Sequence, residues 1–383
     1  MARHYLDHAS TSPPRPEVVA AMTAWLESAR DTVGDPGRVH TEGRVVRAEL
    51  ELAREQVAAL LGVGPRQVVF TSGGTESVNS ATWGATRARP GRPIVLADVE
   101  HSSVRDSSAR AGPVERVEVD RLGRIDPAAV ESALLKTARD GAPAALVHCQ
   151  SANHEVGTVQ PVPEVVEVAH RHDAFVHVDA CMTAGHGEMV LDELGADLVS
   201  VSAHKLGGPP GIGALVVRRG LRVEPWVVGG EQERARRGGL ENILGIIGFG
   251  AAAQALTEPG RLAFESAQAT RRTDAILAAA TAVDDVEVLG DRHDRIAHLV
   301  CVAVGGVEAE PVLLGLDQNG IAAHSGSSCS SESLAPSPVL AAMGVDAERS
   351  LRLSVGWSTT DDDVEAFAAA FPRVVAQLRA LRA

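Results

Sequence analysis

From Val68 to Val217 the chain alternates short β-branched runs with amphipathic segments. Runs at Val68–Thr71, Ile94–Ala97, Ala145–Cys149, Phe175–Asp179, Leu198–Ser202 and Ala214–Val217 read as strands. Thr75–Arg87, Pro127–Arg139 and Pro163–His172 read as helices. This alternation admits few folds. A parallel strand pair needs a long crossover, normally a helix, so the helices must cover both faces of a mostly parallel sheet. Ligands of such sheets bind beyond the carboxyl ends of the strands. The polar residues just after each strand are therefore the ones to weigh.

The flanks extend the picture. Glu42–Leu61 carries Val45, Val46, Leu50, Ala53, Val57 and Leu60 on one side, a helical spacing. Beyond about Leu262 the pattern changes. A helix is followed by strands near Glu287–Leu289 and Leu299–Val304, a helix around Pro311–Gln318, a strand at Leu351–Val355 and a last helix from Asp361. The expected architecture is α/β: an N-terminal segment, 1–15, packing with a small domain; a large domain, 16–260; and a smaller C-terminal α/β domain, 261–383.

Composition narrows the function classes. Lysine and arginine number 36 against 50 aspartates and glutamates, a net charge of −14 that disfavours direct grip on nucleic acid. The four cysteines, at 149, 181, 301 and 329, include no CxxC pair. A disulfide framework and a structural metal are both unexpected. The opening Met1–His8 has no apolar run. The most apolar stretch, Ile243–Leu256, falls short of the roughly 20 residues that span a bilayer. A cytoplasmic protein without a membrane partner is expected.

Six segments carry chemistry. Ser202-Ala203-His204-Lys205 runs from a strand into a glycine-rich turn. A lysine there is costly to desolvate unless its pKa falls, which is the condition for carbonyl chemistry. Asp179 ends an earlier strand and would suit a protonated pyridine nitrogen; the plain alternative is a helix cap. Thr71-Ser72-Gly73-Gly74-Thr75 joins a strand to a helix start, a phosphate cradle in form though neither a P-loop nor GxGxxG. Glu100-His101 follows another strand, and its imidazole could stack on a flat ring or move a proton. Cys329 sits among serines and a glycine, as an exposed thiol nucleophile would, whereas the other cysteines have strand or apolar neighbours. Arg352 interrupts an apolar strand and fits either a carboxylate clamp or an internal salt bridge.

In this order and spacing the segments resemble the cysteine desulfurases (NifS/IscS-like) of the class V aminotransferase family. The resemblance also takes in Tyr5-Leu6-Asp7-His8-Ala9-Ser10-Thr11 and Glu231–Asn242, and the Ser-Gly-Ser-Ser-Cys-Ser-Ser loop looks like the short-loop branch. It implies a fold-type I transferase with pyridoxal 5′-phosphate held covalently by Lys205. Gly74, Thr75, Ser202 and His204 would hold the phosphate, Asp179 the pyridine nitrogen, and His101 would stack on the ring. Arg352 would bind the carboxylate of L-cysteine. Cys329 would take the sulfur as a persulfide and pass it to a protein acceptor in iron–sulfur, thio-modification or thio-metabolite chemistry. A homodimer is implied, with Gly238–Asn242 reaching the neighbour's cofactor.

The sequence departs from the family pattern at several places. His8, Asp35 and Val78 stand where asparagine is usual, and His154 replaces the second asparagine of Asn-Asn-Glu. Met182 replaces a glutamine that bonds the cofactor's phenolic oxygen, and Leu240 replaces a phosphate-binding threonine. His154 is expected to take over the phenolic contact and to adjoin the substrate. Two other readings stand beside the desulfurase. One is a carbon–sulfur or selenocysteine lyase that forms no enzyme persulfide. The other is a non-catalytic scaffold keeping the fold.

Overall fold

The computed structural model describes residues 3–28, 33–187, 190–325 and 337–381. The chain opens with β1 (His4–Tyr5), α1 (Pro16–Ser28) and α2 (Thr41–Leu61). Next come β2 (Val68–Thr71), α3 (Gly74–Ala88), β3 (Ile94–Ala97), α4 (Ser102–Ala111), β4 (Val114–Val117) and α5 (Pro127–Arg139). β5 (Leu146–Gln150), α6 (Val162–Arg171), β6 (Phe175–Asp179), β7 (Leu198–Ser202) and β8 (Gly213–Val217) follow. A one-turn segment, α7 (Gln232–Ala235), precedes α8 (Ile243–Thr257) and α9 (Arg261–Thr281). The rest is β9 (Val286–Leu289), β10 (Leu299–Val304), α10 (Ala309–Gln318), β11 (Ile321–Ala322), α11 (Pro338–Ala342), β12 (Ser350–Ser354) and α12 (Asp361–Ala380).

Seven strands form one sheet in the order β2-β8-β7-β6-β5-β3-β4. All run parallel except β8, which opposes both β7 and β2. A glycine-rich turn after β7 sends the chain straight back, and so short a connection permits only antiparallel pairing. Gly213 must be glycine here, because a Cβ would lie 2.6 Å from the Val201 carbonyl oxygen. The pleat sorts the two faces. Val69, Leu96 and Leu146 pack with Val78 and Ala81 of α3, while Val68, Phe70 and Val147 pack on the opposite layer with Leu50 and Val57 of α2. α8 is apolar all round because it is enclosed; Ile246, Phe249 and Leu256 are buried among α1, α2 and the sheet. No helix among the described residues is long and apolar enough to cross a membrane.

A second sheet, β12-β10-β9, is antiparallel and packs on α9, α10 and α12 around Phe367 and Phe371. The N-terminal segment is tied to this region. β1 pairs with β11, Leu6 is buried in the same cluster, and Ser354 N–H donates to Leu6 O at 2.8 Å. Residues 7–12 then run on to the first sheet, where Ser12 N–H donates to His204 O at 2.9 Å. This bridging strip closes one side of the cleft between the two sheets.

Candidate active site

The carboxyl ends of β5, β6 and β7, the starts of α3 and α4, and the N-terminal strip enclose a cavity of about 260 Å³. Gly74, Thr75, His101, His154, Asp179, Met182, Ser202, His204, Lys205 and Arg352 all line it. Segments more than 250 residues apart in sequence thus meet at one point. α3 presents its N-terminus, where the first N–H groups lack intrahelical acceptors and the helix dipole favours an anion. Gly74 makes room: a Cβ there would lie 2.7 Å from Cys181 Sγ. Glu76 braces the turn by accepting the Ser72 N–H at 2.9 Å and pairing with Arg237 at 3.0 Å.

Lys205 ends a 3-10 turn, Ala203–Lys205, directly after β7. Its Nζ donates to Ser10 O at 3.0 Å and to Ala9 O. Burial, followed by the Arg352 cation, lowers its pKa to about 8. Asp179 caps the chain after β6, accepting the Cys181 N–H at 3.0 Å. His204 bonds Thr11 Oγ1 at 3.1 Å, and burial lowers it to about 4. His101 caps α4 through Nδ1, which faces Ser103 N–H at 3.1 Å and Ser103 Oγ at 2.8 Å. That bond fixes the ring edge-on to His154, with centroids 5.1 Å apart at 70°. Met182 lies in an apolar patch with Ala9, Ala152, Ile296 and Leu299.

Arg352 is 1% exposed. Its Nη1 donates to His154 O at 2.9 Å, and its Nη2 to Asp7 Oδ1 at 3.1 Å and Ser10 Oγ at 2.8 Å. The internal salt bridge weighed for this arginine is therefore present, and the same guanidinium also lines the cavity. The resemblance takes in Asp7, Ala9 and Ser10 without giving them a role, and Gln150 lies outside every segment it matches. No local signal marks them, since each acquires its role only when remote segments meet. Cys149 and Cys301 are buried packing residues; Cys181 instead lines the cavity beside Asp179. His8 is buried between Ser12 Oγ at 2.9 Å and Thr359 Oγ1 at 3.1 Å, and Val78 is on the face of α3 buried against the sheet. Leu240 is 63% exposed. Cys329 lies outside the described residues.

The model of the family described as aminotransferase class-V matches residues 4–367. The chain belongs to the class V aminotransferase family. Among relatives of this class V chain, the cysteine desulfurase IscS of Dictyoglomus turgidum is 37% identical over 388 aligned residues, covering 98% of this chain and 95% of that one. A solved NifS-like protein superposes with a TM-score of 0.87 at 27% identity, covering 98% of this chain and all of the other. A solved SspA in complex with cysteine superposes at 0.77, also at 27% identity, covering 92% of this chain and 98% of that one. The mostly parallel sheet with its helices is thus the class V architecture, and the fold-type I expectation holds.

Proposed function

We propose that this class V enzyme is a cysteine desulfurase that uses pyridoxal 5′-phosphate. It takes sulfur from L-cysteine, leaves L-alanine and passes the sulfur on through Cys329. The observation that carries the reading is the convergence, in one cavity, of a buried lysine of lowered pKa, a strand-end carboxylate, an imidazole and a buried arginine. The relatives named cysteine desulfurase support the same chemistry.

The residues present fit the cofactor. Gly74 leaves its cradle free of a Cβ at a helix start suited to a phosphate dianion. Ser202 and His204 add donors to that cradle, Asp179 would face the pyridine nitrogen, and His101 would lie against the ring. Lys205, with a substantial neutral fraction near pH 8, would hold the aldehyde carbon covalently. When bound, the cofactor serves as the electron sink for bond changes at the amino acid's α and β carbons. Arg352 would bind the α-carboxylate. Lys205 would also take and return a proton at the same carbons. The Cys329 thiolate would attack the substrate sulfur: a sulfur–sulfur bond forms, the carbon–sulfur bond breaks with its electron pair left on the β carbon, and a proton taken up there gives alanine. Met182 would offer no hydrogen bond to the phenolic oxygen, and His154, on the same cavity, would supply one in its place.

On this reading residues 16–260 are the cofactor-binding domain and 261–383 the domain carrying the Cys329 loop. The enzyme works in the cytoplasm as a homodimer. It hands sulfur to a protein acceptor rather than touching nucleic acid. Val228, 76% exposed, and Leu240 supply apolar surface that a second protomer would cover.

The deciding experiment measures alanine and sulfide from L-cysteine with a thiol acceptor. C329A is expected to lose at least a hundredfold in rate while its visible cofactor band stays unchanged. Full turnover by C329A would favour a lyase without a persulfide. A purified protein that binds no pyridoxal phosphate would favour a scaffold.

A further inference from the structure

Arg352 has five N–H donors, and any bidentate grip on a carboxylate must use a hydrogen of Nη2: the side edge pairs Nε with Nη2, and the end edge pairs Nη1 with Nη2. Nη2 already donates to Asp7 Oδ1 at 3.1 Å and to Ser10 Oγ at 2.8 Å. Nη1 is held by His154 O. Nε is buried and has no hydrogen-bond partner among the described residues. Asp7 and Ser10 act as one acceptor unit, because Ser10 Oγ also donates to Asp7 Oδ1 at 2.9 Å. Of the two, only Ser10 lines the cavity.

We propose that Asp7 is a specificity-determining residue that keeps Arg352 half-committed, so that an incoming α-carboxylate displaces only Ser10 and must share the guanidinium with the Asp7 carboxylate. The proposal rests on the reading of Arg352 as the carboxylate clamp and adds what sets its strength. A substrate carboxylate takes over the Nη2 donation that Ser10 gives up, beside the one that Asp7 keeps. Ser10 keeps its bond to Asp7, so no buried hydroxyl is stranded. Two carboxylates on one cation repel each other, and at a 1%-exposed guanidinium water screens that repulsion poorly. The Asp7 charge therefore weakens the hold on a bound carboxylate, product alanine included, while its hydrogen bond helps to orient the guanidinium. Asp7 is able to do this because the N-terminal strip is anchored on both sides, by Ser354 N–H to Leu6 O at 2.8 Å and by Ala9 N–H to Ser354 Oγ at 2.8 Å.

The test is the affinity of the holoenzyme for propionate, a carboxylate with no amine to react at the cofactor, measured by isothermal titration calorimetry. D7N keeps an oxygen acceptor for Arg352 and removes the charge. It is expected to bind propionate about fivefold or more tightly than wild type. S10A removes the acceptor that has to yield and is expected to bind at least as tightly as wild type. A D7N protein with unchanged melting behaviour and equal or weaker affinity overturns the proposal, as does S10A binding more weakly. R352K separates the two layers of the argument. If it loses propionate binding while D7N gains nothing, the clamp stands and the role of Asp7 falls. If R352K binds propionate like wild type, the clamp reading falls and takes the proposal with it.

Discussion

At the scale of single residues, burial rather than identity decides what the polar groups do. Lys205 is an ordinary lysine until burial and the neighbouring Arg352 lower its pKa to about 8. The amine reacts only when neutral. Capture of pyridoxal phosphate by the cofactor-free protein should therefore accelerate roughly tenfold per pH unit on approaching pH 8 and level off above it. A rate independent of pH between 6 and 9, followed by the growth of visible absorbance, would contradict the lowered pKa. His154 gives a second expectation. Deleting a buried hydrogen-bonding side chain costs about 1 kcal/mol. H154A should thus weaken cofactor affinity about fivefold and shift the visible band. Affinity and spectrum equal to wild type would remove His154 from the cofactor contacts. Glu100 is a third case: fully buried and pushed up to about 8 by burial, it accepts the Gln150 N–H at 2.7 Å behind the cavity wall. A buried carboxyl of this kind holds β5 in place beside Asp179.

At the scale of elements, the segment after β8 shows how strain is held. Glu233, Arg234 and Ala235 have φ of 48°, 58° and 61°, a left-handed run without glycine. Each such residue costs on the order of 1 kcal/mol or more unless its surroundings over-determine it. Here the restraint is Arg54 of α2. Its Nη1 and Nη2 donate to the Glu233 carboxylate at 2.6 and 2.7 Å, and the Phe70 N–H adds a bond at 2.9 Å. Two residues beyond this run lies Arg237, which pairs with Glu76 at the start of α3. R54A would leave the buried Glu233 carboxylate without an ion-pair partner among the described residues, at a cost of about 3–5 kcal/mol. Urea unfolding should show that loss, and cofactor retention should fall with it, since the start of α3, proposed to hold the phosphate, is braced from this segment. A loss below about 1 kcal/mol would mean that the pair is not what restrains the turn.

At the scale of the whole molecule, three separate stretches meet behind Lys205. His8 comes from the N-terminal strip, His186 from the loop after β6, and His298 from the approach to β10. His186 stacks on His298 at 3.8 Å, and its Nε2 lies 3.1 Å from Lys205 O. Neither nitrogen of His298 has a hydrogen-bond partner among the described residues. Burial holds His8 and His186 at about 4 and His298 well below its usual range. The sign follows from proton counting. Between about 4 and 6.5 the unfolded chain binds protons that the folded chain refuses, so stability rises with pH across that window and falls on acidification. Buried His8 contributes a slope of up to about 1.4 kcal/mol per pH unit. H8N carries no titrating ring and should flatten the dependence of the urea midpoint on pH between those limits. An unchanged slope would show that His8 is not part of the acid response.

The sequence alone determined the class of the sheet, most element positions and ten of the residues that line the cavity. These follow from local physics: a period of two or of 3.6, a glycine where a helix must start close to a ligand, a lysine after a strand. β8 reverses the sheet direction at a point where the runs looked uniformly strand-like, because connection length rather than strand composition sets direction. The partly exposed edge strand β4 and the two-residue strands β1 and β11 are too short or too mixed to show a period. Arg352 was legible as a buried cation, but its partner was not, since Asp7 lies 345 residues away and is brought there by the pairing of β1 with β11 and of Leu6 with Ser354. Tertiary structure alone decided which acceptors Arg352 keeps, how far Lys205 is desolvated, and that Cys181 faces the cavity. A pKa and a donor count depend on what surrounds a group in space, and neighbours in space are the one thing that neither composition nor spacing along the chain contains.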